Sequence, residues 1–152
     1  MTRSRPTAIL LAALAGILLC SCAMGIKKWP SAQVKEDQFR WRGVIASRQG
    51  KCLMLDGVLS GNYGNLESIL VQLEALGDDE PGYGCVNCPF NVRQAELVEA
   101  GDPRMTRSAG QISIVLCNLE ADRTYRYRLV ANNILNNLEP QATDVGLVRP
   151  QP

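Results

Sequence analysis

The chain has no histidine, so the commonest general base and the commonest metal ligand are both missing. It also lacks a Gly-rich phosphate loop, a nucleophile elbow and a dinucleotide fingerprint. No catalytic residue, cofactor or metal site is expected. An excess of one charge is absent as well: 16 basic residues face 15 acidic ones, with both signs interleaved, which leaves no basic surface for nucleic acid. The apolar run Ala8–Leu19 is shorter than the roughly 20 residues that a membrane-spanning helix needs. No segment shows a convincing amphipathic helical period, and there is no internal repeat. Asp78, Asp79 and Glu80 are adjacent, whereas a calcium loop spaces its oxygens at alternate positions around a glycine. They read as a solvated turn.

What is present begins with Arg3 and Arg5 ahead of the apolar run, the order of a secretory signal. Leu19-Cys20-Ser21-Cys22 follows and resembles the lipobox of bacterial lipoproteins, with an aliphatic residue three positions before the cysteine and a small one directly before it. Cys22 fits that frame. Cys20, preceded by the bulky Leu19, does not. The resemblance implies removal of residues 1–21, a diacylglyceryl thioether on Cys22 and often a further acyl chain on its amine. At about 0.8 kcal/mol per buried methylene, two or three such chains amount to permanent attachment. Ala23 rather than aspartate follows the cysteine, which in the sorting rule of such lipoproteins implies the outer membrane, with the protein facing the periplasm. A plain secreted protein and an uncleaved anchor are the alternatives. Residues 22–33 show no period and contain Gly25, Lys27, Lys28 and Pro30. They read as a tether, either with the two lysines near anionic lipid and Trp29 at the interface or as a solvated linker with no preference for lipid.

Residues 34–148 are long enough for one domain and short for two, and residues 149–152 form a tail. Period-two patterns predict strands at Phe39–Ala46, Lys51–Leu59, Ser68–Leu76, Val92–Val98 and Gln111–Cys117, with a last strand inside Glu139–Val148. The leucines and glutamates of Ser68–Leu76 would also suit a helix. The most informative stretch is Leu119–Asn132. From Tyr125 onward Tyr125, Tyr127, Leu129 and Ala131 share one face, which reads as core, while Arg126, Arg128 and Val130 share the other, which reads as mostly wet. A tyrosine at the start of such a strand can bury its ring while its hydroxyl bonds backbone a few residues back, the tyrosine corner of immunoglobulin-like sandwiches. The passage resembles the fibronectin type III family, whose corner reads Leu-x-Pro-x-Thr-x-Tyr and runs on into Ala-x-Asn. Leu119, Tyr125, Ala131 and Asn133 fit, and Ala121 and Arg123 replace the family's proline and threonine. The fold expected is an all-β, two-sheet sandwich of about seven strands.

Four cysteines remain once Cys22 is set aside, and four allow three pairings. The fibronectin-like order makes the second and fifth strands antiparallel neighbours, which implies a Cys52–Cys117 bridge and leaves Cys85 with Cys88. Cys85-Val86-Asn87-Cys88-Pro89 admits other chemistry. A redox dithiol wants its first cysteine at a helix N-terminus, but Pro81, Gly82 and Gly84 precede Cys85 here and Pro89 follows Cys88. A zinc site usually shows paired knuckles, and only one is present. A similar Cys-x-x-Cys-Pro loop occurs in a group of small bacterial lipoproteins, to which this chain is similar. That resemblance implies no activity.

Two surface features are candidate partner contacts. Arg126 and Arg128, with Arg123, would form a basic stripe for a carboxylate or phosphate group, or a solvated face that discourages edge pairing. Ile134 and Leu135, in the loop between the last two strands, are either an exposed contact or part of the core. The expected function is a lipid-anchored envelope protein carrying a non-catalytic binding or structural module for an envelope protein or polysaccharide. A thiol protein using Cys85 and Cys88 and an assembly factor for an envelope complex are the alternatives.

Overall fold

Alternation along the strands sets the layers. The computed structural model describes residues 35–77 and 83–151. The expected signal peptide, Cys22 with its expected tether, and the acidic run Asp78–Glu80 lie outside these residues. The strands are β1 (Phe39–Gln49), β2 (Cys52–Gly61), β3 (Leu66–Ala75), β4 (Gln94–Glu99), β5 (Met105–Ser108), β6 (Gln111–Cys117), β7 (Tyr125–Asn133), β8 (Gln141–Ala142) and β9 (Gly146–Val148). Along β2, Leu53, Leu55 and Leu59 are buried, and along β6, Ile112, Ile114 and Leu116. These meet Ile69, Val71 and Leu73 of β3 and Tyr125, Tyr127, Leu129 and Ala131 of β7 in one core cluster. These four strands therefore turn every second side chain toward the other sheet.

One sheet has the order β1-β2-β6-β5 and the other β4-β3-β7-β8, with β9 also on β7. The strand pairs are all antiparallel. This is the immunoglobulin/fibronectin type III-like sandwich, with consecutive strands distributed between two sheets. The region Ser68–Leu76 is strand β3, hydrogen-bonded on both sides by β4 and β7, so pairing overrides any helical preference of its leucines. β5 is an addition to the expected set. It is four residues long with Met105 its only buried member, too short for a period to show. The last strand is broken in two, and Thr143 bridges the break: its N–H donates to Leu129 O at 2.9 Å, and its Oγ1 accepts from Leu129 N at 3.1 Å.

The flanks between the sheets are stitched by side chains. Trp41 Nε1 donates to Gln141 O at 2.9 Å on one side. On the other, Arg104 Nη2 donates to Leu97 O at 3.0 Å and Nη1 lies 3.4 Å from Glu96. β1 carries a bulge between Trp41 and Gly43, and its Arg40 and Arg42 are exposed. Ser108-Ala109-Gly110-Gln111 closes the β5–β6 hairpin with Ala109 at φ 49° and Gly110 at φ 82°. Two positive φ values suit the twist of a two-residue hairpin but are costly for an alanine. Ala109→Asn is expected to stabilise the protein by about 0.5–1 kcal/mol, because asparagine tolerates that region better. A urea midpoint that does not rise would contradict this.

The two ends of the sandwich differ. Residue 35 enters at the end that holds the β2–β3, β5–β6 and β7–β8 loops, which we call the leading end. The β1–β2 turn, the β3–β4 loop and the β6–β7 corner lie at the opposite, corner end.

Candidate functional site

At the corner end Leu119 and Tyr125 are buried, and Glu120 N–H donates to the Tyr125 hydroxyl at 3.0 Å. The tyrosine corner expected from the sequence is therefore formed. Cys52 and Cys117 face each other in the β2–β6 register and are joined by a disulfide. Between these features lies Arg48, 0% exposed. Its Nη2 donates to Gly50 O and Glu120 O, both at 2.9 Å, and its Nη1 to Arg123 O at 3.2 Å. The guanidinium lies 5.3 Å from the Tyr125 ring centroid. Arg48 thus ties the β1–β2 turn to the corner, where the fibronectin-like proline is replaced by Ala121. Continuing the Val44, Ala46 phase two residues further would have pointed Arg48 inward. Arg48→Met is expected to lower the unfolding free energy by about 2–3 kcal/mol, since three carbonyls lose a charged donor. Tyr125→Phe is expected to lose only about 1 kcal/mol. Urea unfolding measures both, and an Arg48→Met protein as stable as its parent would remove this role.

The face of the second sheet holds the larger surprise. Glu74 of β3 and Arg126 of β7 are cross-strand partners on the outward side, yet Glu74 is 1% and Arg126 7% exposed. The reason is the Cys85–Pro89 loop, which folds over them. Arg126 Nη1 donates to Cys88 O at 2.6 Å and Val86 O at 3.4 Å, and Nη2 to Pro89 O at 3.0 Å. The same guanidinium pairs with Glu74, Nε at 2.9 Å and Nη2 in a closer contact. Glu74 Oε2 also accepts from Asn91 N at 3.3 Å. Gly84 is seated against the Glu74 carboxyl, in space that a Cβ would fill. Phe90 lies over both Arg126 and Arg128, at 5.7 and 5.4 Å.

Arg126 and Arg128 therefore form neither the basic stripe nor the solvated strand face that the sequence left open. Arg126 is covered and its donors are committed to the loop. Arg128 Nε donates to Gln72 at 2.8 Å, half-buried under the same aromatic ring. Arg123 Nε is 3.2 Å from Glu120 and its guanidinium sits 4.1 Å from the Tyr83 ring centroid. Cys85 and Cys88 are joined in a disulfide, as the fibronectin-like order implied, with Cys85 half-buried and Cys88 exposed. No helix begins at Cys85.

At the leading end the Asn133 and Asn65 side chains both donate to Asp37 O, at 3.0 and 3.3 Å. Ile134 N donates to Asn65 O at 2.9 Å and Leu135 N to Asn133 Oδ1 at 2.8 Å. The loop is thus fixed, with Leu138 buried beneath it. Ile134 and Leu135 nevertheless remain 61% and 37% exposed, and Tyr63 in the adjoining loop is 43% exposed. Ile134 and Leu135 are thus exposed and not folded back onto the core.

Across the outer face of the first sheet runs a shallow groove of about 620 Å³, lined by Ile45, Val58, Asp56, Ser113, Thr106 and Gln111 among others. Ile45 is exposed there because Val44, Ile45 and Ala46 are consecutive and cannot all face inward. The Asp56 carboxylate accepts from the Ser113 hydroxyl across the strands. In the β4–β5 turn, hydrogen bonding from the Arg104 side chain and backbone holds the Asp102 carboxyl below its usual range. Burial pushes the Tyr127 phenol up. Among the described residues no group of three or more His, Cys, Asp or Glu side chains converges as a metal site, and no helix is long and apolar enough to cross a membrane.

No family model matches the chain, and no curated protein matches it. Among solved structures it is similar to a part of the chitinase ChiW from Paenibacillus sp. str. FPU-7, described as a bacterial cell-surface-expressed multi-modular enzyme machinery. That match has 15% identity and a TM-score of 0.49, over 75% of this chain and 8% of the chitinase. It is also similar to a part of astrotactin-2, described as a vertebrate-specific, perforin-like membrane protein involved in neuronal development, with 16% identity and a TM-score of 0.42 over 74% of this chain and 21% of that one. The chain spans less than a quarter of either protein, and the sandwich assignment rests on its own strand order.

Proposed function

We propose that the protein is a lipid-anchored component of the cell envelope, held at the outer membrane by acylated Cys22, whose sandwich is a non-catalytic binding or structural module. The observation that carries this reading is the pair of disulfides, Cys52–Cys117 and Cys85–Cys88, behind a leader with the order of a lipoprotein signal. Disulfides persist in exported proteins and are rare in reducing compartments. The test is mass spectrometry of the detergent-extracted protein, with an N-terminal peptide starting at Cys22 and carrying acyl chains as the expected product. Free Cys22, or a chain beginning elsewhere, overturns the reading.

The exposure of Cys88 favours a second reading, a thiol/disulfide protein using Cys85 and Cys88. Alkylation after graded reduction separates the two. A bridge as easily reduced as that of a working dithiol supports exchange chemistry, and one that resists until the protein unfolds makes it structural.

A further inference from the structure

We infer that the Ile134–Leu135 loop, together with Tyr63, is a membrane-contact surface that rests in the interface of a zwitterionic phospholipid bilayer and stands the sandwich on its leading end. This inference rests on the lipid-anchor reading above, and it names the partner of a surface which that reading leaves open.

The first support is that the exposure is a property of an ordered loop. Leu138 turns into the core, and Ile134 and Leu135 are held outward by bonds to Asn65 and Asn133. The second is chemical. A backbone N–H moved out of water needs a partner, and the amides of both apolar residues already have one, Asn65 O for Ile134 and Asn133 Oδ1 for Leu135. These side chains can therefore enter a less polar medium without stranding their own donors. Tyr63 adds an aromatic with a polar tip, the side-chain type that favours membrane–water interfaces.

The third support is covalent reach. The loop adjoins the point where the chain enters, since the Asn133 side chain bonds the carbonyl of Asp37. Twelve residues lie between Cys22 and Lys35, a span of at most about 45 Å when fully extended. Strands of ten or eleven residues are themselves about 35 Å long. An anchor on Cys22 is accordingly tied to the leading end, and the corner end with its Cys85–Cys88 loop lies a further strand length beyond that point of attachment. Exposed Glu36 and Glu139 flank the loop and exposed Arg107 lies beside Tyr63, so charges of both signs surround the surface, which suits a zwitterionic bilayer.

The test uses the full acylated chain in phosphatidylethanolamine–phosphatidylcholine vesicles whose acyl chains are brominated near the headgroup. In a W29F background, whose remaining Trp41 emission is measured in the parent and subtracted, Ile134→Trp and Leu135→Trp place reporters on the loop, and Leu97→Trp places a control on an exposed site of β4. Both loop reporters are expected to be quenched at least twofold more than the control. Vesicle-bound protein whose loop reporters are quenched no more than Trp at position 97 overturns the proposal and leaves the anchor standing. Protein that does not float with vesicles and carries no acyl chain on Cys22 overturns the anchor reading and the proposal with it.

Discussion

Glu74→Gln is expected to lower the unfolding free energy by about 3–5 kcal/mol, the usual cost of leaving one member of a buried ion pair without its counter-charge. Arg126 cannot escape to water, because its guanidinium is covered by the Val86, Cys88 and Pro89 carbonyls and by Phe90. Arg126→Met is expected to cost a similar amount, since it strands the Glu74 carboxylate and frees three carbonyls. Glu74→Met combined with Arg126→Met should recover most of the loss, as apolar replacements of buried pairs often do. The loop should behave differently. In the double variant its amides should exchange with solvent well before global unfolding, because the donor that pinned it has gone. Urea unfolding and hydrogen exchange check the two parts. Single variants within about 1 kcal/mol of the parent would mean that water reaches the pair and that the cover is weaker than its geometry indicates.

Replacing Cys52 and Cys117 together by alanine should cost about 4 kcal/mol, because the bridge closes a loop across 65 residues and removes that much conformational freedom from the unfolded chain. Removing Cys85 and Cys88 should cost clearly less, since only three positions separate them and the closure entropy is correspondingly small. Comparing thermal and urea unfolding of the two double variants tests this ordering, and equal losses would contradict it.

The sandwich was legible in the sequence where each strand carried its own period. β6 matches the expected Gln111–Cys117 limits, because alternating isoleucine and leucine run between a glycine turn and a cysteine. β7 was legible for the same reason, and its Tyr125 hydroxyl finds backbone at Glu120. The Cys52–Cys117 bridge then follows from strand order. What the sequence could not display was tertiary cover. Arg126 alternates as an outward residue should, and only the folding back of a loop some forty positions away makes that outward place an inside. Arg48 was hidden differently: β1 runs three residues beyond Ala46, and a charged residue in a core phase looks like the end of a strand until its carbonyl partners are seen. β5 has a single apolar residue, so pairing with β6 rather than its own pattern makes it a strand.

The edges of the two sheets bear on how molecules of this protein behave when crowded. β1 is long, but its bulge breaks the flat row of donors and acceptors and its exposed arginines repel a like edge. β5 offers four residues, β4 six with glutamates at 96 and 99, and the last strand is interrupted at Thr143. Among the described residues no edge presents a long, regular, uncharged template, so side-by-side strand addition is discouraged on all four margins. Polymerisation into fibrils through continuous sheets is therefore disfavoured by the same irregularities that leave the individual sandwich intact.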